Sequence, residues 1–464
     1  MTDKKTVYPY IPNSVPEIKA QMLREVNASS VGEFYADVPA ELRFNGQMNL
    51  PEPFLSEYAL RRHVEGLLRK NITAGQNLNF LGAGCYMHYV PAVCDEVNQR
   101  GEFLTAYAGE PYDDHGRFQA LFEYCSMMGE LLEMDVVNVP NYDGFQAVAT
   151  SLRMACRITA RNRVLLAETL GRDMLSRVRD YLKPEIEIAF IEHDPKTGGV
   201  NLEQLDKLLK TDTAAVYFEN PSYLGFFETR GTEIANLTHK HDALVIVGVD
   251  PISLGVIAPP VRYGADIVCG DIQALGMHMQ FGGGHAGFIA SRDDEKIVMQ
   301  YPSRLFGISP TREPGEYGFG DVAYDRTSFA KREEGNEWVG TAAALWGITA
   351  GVYLALMGPQ GMKEIGEGIL YRSRYAQQEI SKITGVRTDI FAAPHFKEFV
   401  VNFDGTGRKI SQINTALLNK GIFGGKDLSR EFPWLGESAL VCFTEVHNQE
   451  DIDRLVSTLK EVLA

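Results

Sequence analysis

Between about residues 79 and 292 the chain alternates short apolar runs with longer segments whose apolar positions recur at helical spacing. The runs at 163–168, 186–192, 214–219, 243–250, 267–270 and 286–291 predict strands, and 202–209 and 232–241 predict helices lying between them. Alternation of this kind is the signature of right-handed βαβ units in a mostly parallel sheet.

The flanks have a different rhythm. Residues 14–70 read as helical: Ile18, Met22, Leu23 and Val26 recur at helical spacing after Val15-Pro16, and 60–70 is charged and leucine-spaced. Gly46, Pro51 and Pro53 make 45–53 a connector. Residues 300–335, with Pro302, Pro310 and Pro314, read as irregular, and a long helix is predicted near 339–357. Beyond it come strands at 399–402 and 440–443 and helices at 410–419 and 450–463. The expected organisation is a helical arm over 1–75, a large α/β domain over 76–335, and a connecting helix with a small α+β domain over 336–464. The uncharged stretch 339–359 approaches the length that spans a bilayer. Its Gly, Ala and Thr content, deep inside a chain of globular composition, favours a buried helix.

Composition narrows the function classes. The 464 residues are 45% hydrophobic, enough for two or more domains with real cores, and the net charge of -16 argues against a nucleic-acid surface or an anionic membrane patch. Six cysteines are widely spread with no CxxC pair, which points to thiols in a reducing compartment and not to disulfides or zinc. No apolar run follows Met1-Thr-Asp-Lys-Lys5, so a cytoplasmic location is expected.

Gly282-Gly-Gly-His-Ala-Gly287 matches G-x-G-x-x-G, but a dinucleotide site needs a helix after the glycines, and Phe288-Ile-Ala-Ser291 reads as a strand. The run therefore reads as a tight turn, in which Gly282, Gly283 and Gly284 let backbone amides approach a phosphate from a neighbouring subunit. Asp250 falls at the carboxyl end of a strand, where α/β sheets place ligands, or is a turn aspartate before Pro251. Asn220-Pro221 carries the same ambiguity, and Tyr142-Asp143-Gly144 reads as a strand-to-helix turn at the same sheet edge. Asp113-Asp114-His115 reads as a solvated loop, not a metal site, because adjacent residues point different ways. No HExxH, P-loop or GxSxG element occurs.

The order of a strand ending in Asp250, a second strand at 266–271 and Phe281-Gly-Gly-Gly-His285 resembles the cofactor half of a fold-type I pyridoxal-phosphate (PLP) enzyme. That resemblance implies an aspartate that keeps the pyridine nitrogen protonated and a lysine that holds the aldehyde. No lysine lies between Lys240 and Lys296, and Gln273 stands in the region of the missing residue. Many further matches run almost end to end: Tyr10-Ile-Pro-Asn13, Asp37-Val-Pro-Ala-Glu-Leu-Arg43, Phe80-Leu-Gly-Ala-Gly84, Gly101-Glu-Phe-Leu-Thr-Ala-Tyr107, Asp250-Pro-Ile-Ser-Leu-Gly255, Gly270-Asp-Ile-Gln-Ala-Leu-Gly276, Lys397-Glu-Phe-Val-Val401 and Lys420-Gly-Ile-Phe-Gly-Gly425. Together they resemble subunit 1, the alpha chain, of the glycine dehydrogenase (P-protein) of the glycine cleavage system.

The resemblance implies a PLP-transferase-like fold and an α2β2 assembly in which a homologous beta chain carries PLP. The complex would decarboxylate glycine and pass the aminomethyl group to the lipoyl arm of H-protein; this chain would not act alone. Its implied part is to line the interface and the substrate channel, through Tyr107, Tyr142, Asp143, Asn220, Asp250, Gln273 and His285. The family pattern lapses at 108–116 and 334–341. That leaves a paralogous subunit acting on another amino acid as an alternative, beside a non-catalytic scaffold that kept the fold.

Overall fold

The computed structural model describes residues 8, 10–44, 46–104, 115–335, 339 and 342–464. It divides into two units, Met1–Asn71 and Ile72–Ala464. In the first, helices Pro16–Glu25 and Glu57–Leu68 are joined by short 3-10 turns, and neither helix buries a residue. Pro16 opens the first helix, where its missing N–H costs nothing, and the Ser56 hydroxyl caps the second by accepting from the Ala59 N–H.

The second unit is built on a seven-stranded sheet: β1 (Val136–Val137), β2 (Arg163–Ala167), β3 (Glu187–Ile191), β4 (Thr213–Glu219), β5 (Leu244–Gly248), β6 (Ile267–Asp271) and β7 (Gly287–Ser291). The order is β1-β7-β6-β5-β4-β2-β3. β3, β2, β4, β5 and β6 run parallel, while β7 is antiparallel to both β6 and β1. The expected mostly parallel sheet is therefore present. Its strands read as unbroken apolar runs because both faces are covered. Leu165, Val216, Phe218, Val245 and Val247 pack in one core, and Val164, Leu166, Ala215, Tyr217 and Ile246 in another on the opposite face. β7 directly follows the glycine run, as the strand reading requires.

Two flanking expectations need correction. The stretch read as irregular contains an antiparallel pair, Phe306–Pro310 with Tyr317–Asp321. The long helix begins at Ala344 and continues to Ser381, across a break at Gly358 (φ 58°) and Pro359. The break separates an apolar half from a charged half, which hid the second half from a pattern based on apolar content. No helix among the described residues is long and apolar enough to cross a membrane. The C-terminal sheet has strands Glu398–Asn402, Ser438–Cys442 and Lys426–Asp427, with Ser438–Cys442 in the middle, backed by helices Ile410–Leu418 and Gln449–Leu463.

Candidate functional site

A cavity of about 510 Å³ opens at the carboxyl ends of the central strands. Asp143, Asp250, Gln273, His285 and Gly282 line it, together with Cys85 and Tyr86 of the loop after Phe80.

Asp250 follows β5. Its Oδ1 accepts from the Ile252 N–H at 3.1 Å, and its Oδ2 lies 2.5 Å from the Lys397 Nζ. Lys397 is buried, 3.3 Å from the centre of the Tyr86 ring and 3.2 Å from His88 Nε2, and His88 Nδ1 meets Glu445 at 2.7 Å. A carboxylate, an aromatic face and an imidazole thus surround one buried lysine head group, which compensates its removal from water.

Gln273 follows β6 and has both polar atoms engaged. Its Oε1 accepts from the Tyr86 N–H at 3.0 Å, and its Nε2 donates to the carbonyls of Tyr86 (2.9 Å) and Met277 (3.1 Å). It pins the Cys85–Tyr86 loop over the cavity. Asp143 caps helix Gly144–Thr159: Oδ1 accepts from the Gln146 N–H at 2.8 Å, and Oδ2 from Arg177 at 2.6 Å. The N-terminus of this helix therefore already holds an anion. Asp271 closes the same corner, taking the Gly144 N–H at 2.8 Å, the Gln273 N–H at 2.8 Å and His285 Nδ1 at 3.1 Å. The hydrogen bond its ring donates to Asp271, and then the neighbouring Cys85, push His285 up to about 10, so its ring is protonated at neutral pH.

Other expected residues lie elsewhere. Asn220 is buried with its amide turned to the Glu228 backbone and the Tyr263 hydroxyl, where it fastens the turn after β4 instead of lining the cavity. Tyr142 is exposed and outside the lining. Gly282, Gly283 and Gly284 donate their N–H groups to the carbonyls of Met279, Gln280 and Met279, so these three donors are engaged within the turn. A Cβ at Gly284 would sit 2.0 Å from the His278 carbonyl oxygen, which accounts for glycine there. Tyr107, Asp113 and Asp114 fall outside the described residues, among which no cluster could hold a metal ion.

Sequence reasoning missed three contributors, Lys397, Glu398 and Glu219. Burial pushes the Glu219 carboxyl up to about 8 and that of Glu398 up to about 7. Glu398 accepts from the Ala83 N–H at 2.7 Å and from the Tyr86 hydroxyl at 3.0 Å. The signal was available: Lys397 and Glu398 are adjacent charges flanked by Phe396 and Phe399, and charges inside an apolar strand are almost always paired.

Comparison with known proteins bears on all of this. The family model described as Glycine cleavage system P-protein matches residues 9–459. A probable glycine dehydrogenase (decarboxylating) subunit 1 of Staphylothermus marinus is 40% identical over 98% of each chain. The like-named protein of Carboxydothermus hydrogenoformans is 38% identical over 97% of this chain and 99% of its own. A crystal structure of the inhibitor-bound glycine decarboxylase (P-protein) of the glycine cleavage system superposes with a TM-score of 0.84 at 32% identity, covering 98% of this chain and all of that one. A sphingosine-1-phosphate lyase of Burkholderia pseudomallei, at 14% identity and a TM-score of 0.66 over 92% of this chain and 94% of that one, shares the fold alone.

Proposed function

The chain belongs to the glycine cleavage system P-protein family, and from that premise we propose that it is the subunit of a heteromeric glycine decarboxylase that carries no cofactor of its own. A fold-type I site must give PLP an acidic partner for the pyridine nitrogen, a lysine for the aldehyde and a seat for the phosphate. Lys397 pairs with the Asp250 carboxylate from behind the cavity wall, Gln273 stands in the loop after β6, and Asp143 fills the helix N-terminus. The residues do not fit the cofactor.

The observation that carries the reading is the occupant of Asp250. A side chain of the chain itself supplies the positive charge that a pyridinium would otherwise supply. On this reading PLP and its lysine reside on a homologous partner subunit, in an α2β2 assembly that works in the cytoplasm. A lipoyl arm on an H-protein-like carrier accepts the aminomethyl group. This chain contributes the frame and the contact surface. The two N-terminal helices, which bury no residue and expose Met22, Leu60, Val64 and Leu67, fit a surface that a partner covers.

The test is to express the chain with and without a PLP-bearing partner and follow release of carboxyl-labelled carbon dioxide from glycine. Activity is expected only when both subunits are present, with the PLP absorbance band on the partner. Turnover or a PLP band from this chain alone would overturn the reading. A complex inert towards glycine but active on another amino acid would replace it with the paralogue.

A further inference from the structure

The charged groups that line the cavity do not cancel. Each cation on its wall, among the described residues, is paired with a carboxylate: Arg177 meets Asp143 at 2.6 Å, His285 meets Asp271 at 3.1 Å and Lys426 meets Glu431 at 3.2 Å. Acceptors on the same wall have no such partner. Glu219, at the end of β4, accepts from the Tyr223 N–H at 3.0 Å and from the Tyr217 hydroxyl at 3.4 Å, and no cation among the described residues pairs with it. The exposed Asp173, in the first turn of helix Arg172–Leu182, also lacks a cation among the described residues. Ser222 is the third acceptor of the wall, and only 7% of it is exposed. Its N–H and carbonyl are engaged by Phe226 and Gly225, and its hydroxyl oxygen has no hydrogen-bond partner. Buried hydroxyls are almost always satisfied, so this one, at a cavity wall, marks a place for a polar group of a ligand. Phe145, Val148 and Met174 add apolar surface to the same space.

We propose that this cavity binds a primary alkylammonium ion, with Glu219 and Ser222 accepting its N–H groups and Asp173 adding negative charge at the rim. An ammonium group has three donors and no acceptor, which matches a wall whose unpaired groups accept. An anion would instead have to break one of the existing ion pairs. The alkyl chain lies against the apolar wall, and about 510 Å³ is room enough for a small organic molecule. Binding also moves a proton. Burial pushes the Glu219 carboxyl up to about 8, beside Tyr223, Tyr217, Glu398 and Cys269, so it carries a proton at neutral pH. A cation beside it favours the ionised form, and complex formation releases that proton to the buffer.

The experiment is isothermal titration of the full chain with n-butylamine and with glycine at neutral pH, in phosphate and in HEPES, whose ionisation heats differ. Saturable binding of at least one ligand is expected, with a heat that depends on the buffer. Glu219→Gln should weaken it by at least about tenfold and remove the buffer dependence, and Ser222→Ala should weaken it by about fivefold. Tetramethylammonium, equal in charge but without N–H donors, should bind at least about tenfold more weakly. Binding of either ligand with these losses supports the proposal, and the tighter one identifies the source as an amine or an amino acid. No saturable binding, tetramethylammonium bound equally well, or affinities unchanged in the variants would each overturn it. Ser222→Ala removes a single oxygen and decides the matter if the Glu219 variant folds poorly. The proposal rests on the reading that PLP resides on the partner subunit. A PLP band on this chain defeats that reading, whereas a colourless chain that binds no ammonium ion defeats this proposal alone.

Discussion

The two sides of the cavity make opposite use of charge. On the Asp250 side, carboxylate, lysine, aromatic ring and imidazole are paired with one another. On the His285 side the ring is paired with the Asp271 carboxylate at 3.1 Å, and both residues line the open cavity with the half-buried Cys85. A fold retained at a TM-score of 0.84 thus has one carboxylate at its pocket matched by a lysine of the chain itself, while the His285 pair faces the open cavity. Fold similarity alone would have treated the two halves alike.

The comparison breaks most visibly at Lys397. Replacing it by Met leaves the Asp250 carboxylate unpaired, and urea denaturation should show a loss of about 3–5 kcal/mol. Adding Asp250→Asn to that variant should recover much of the loss, and a double variant as unstable as the single one would refute the pairing. Gln273→Ala strands the Tyr86 N–H and carbonyl, at a cost of about 1–3 kcal/mol. Faster amide hydrogen exchange confined to the Cys85–Tyr86 loop is the accompanying sign.

Asp143→Ala removes a helix cap and should cost about 1 kcal/mol in the same denaturation assay. A separate effect is in the pH profile. The Glu398 carboxyl is held near 7 in the folded state by burial, against 4.5 ordinarily. Between those values the folded protein keeps a proton that the unfolded chain has lost, so stability falls as pH rises through that window. Glu398→Gln should flatten the decline; a profile with unchanged slope would remove Glu398 as its source.

Much of this was legible in the sequence, and the boundary of legibility has a physical origin. Strands β2, β4, β5 and β6 announced themselves because burial on both faces demands continuous apolar runs, and Asp250 because strand ends collect ligand-facing residues. The absent lysine was visible by inspection, and so was the fact that the glycine run leads into a strand. The partner of Asp250 was not, because Lys397 lies far along the chain, just before a strand of the other sheet, and only tertiary folding joins them. Asn220 looked like a lining residue by its place at a strand end, yet its amide is spent on the backbone of its own turn. The hairpin at 306–321 was masked by its prolines and glycines, residues that local propensity reads as breakers.

The Lys397–Asp250 pair has one more consequence, which concerns motion. Asp250 follows a strand of the seven-stranded sheet, whereas Lys397 immediately precedes the first strand of the C-terminal sheet. Many two-layer enzymes hinge open to admit substrate and close over it. Here such a hinge would have to draw an ammonium off a carboxylate in a dry seam, so the pair acts as a rivet across the two layers.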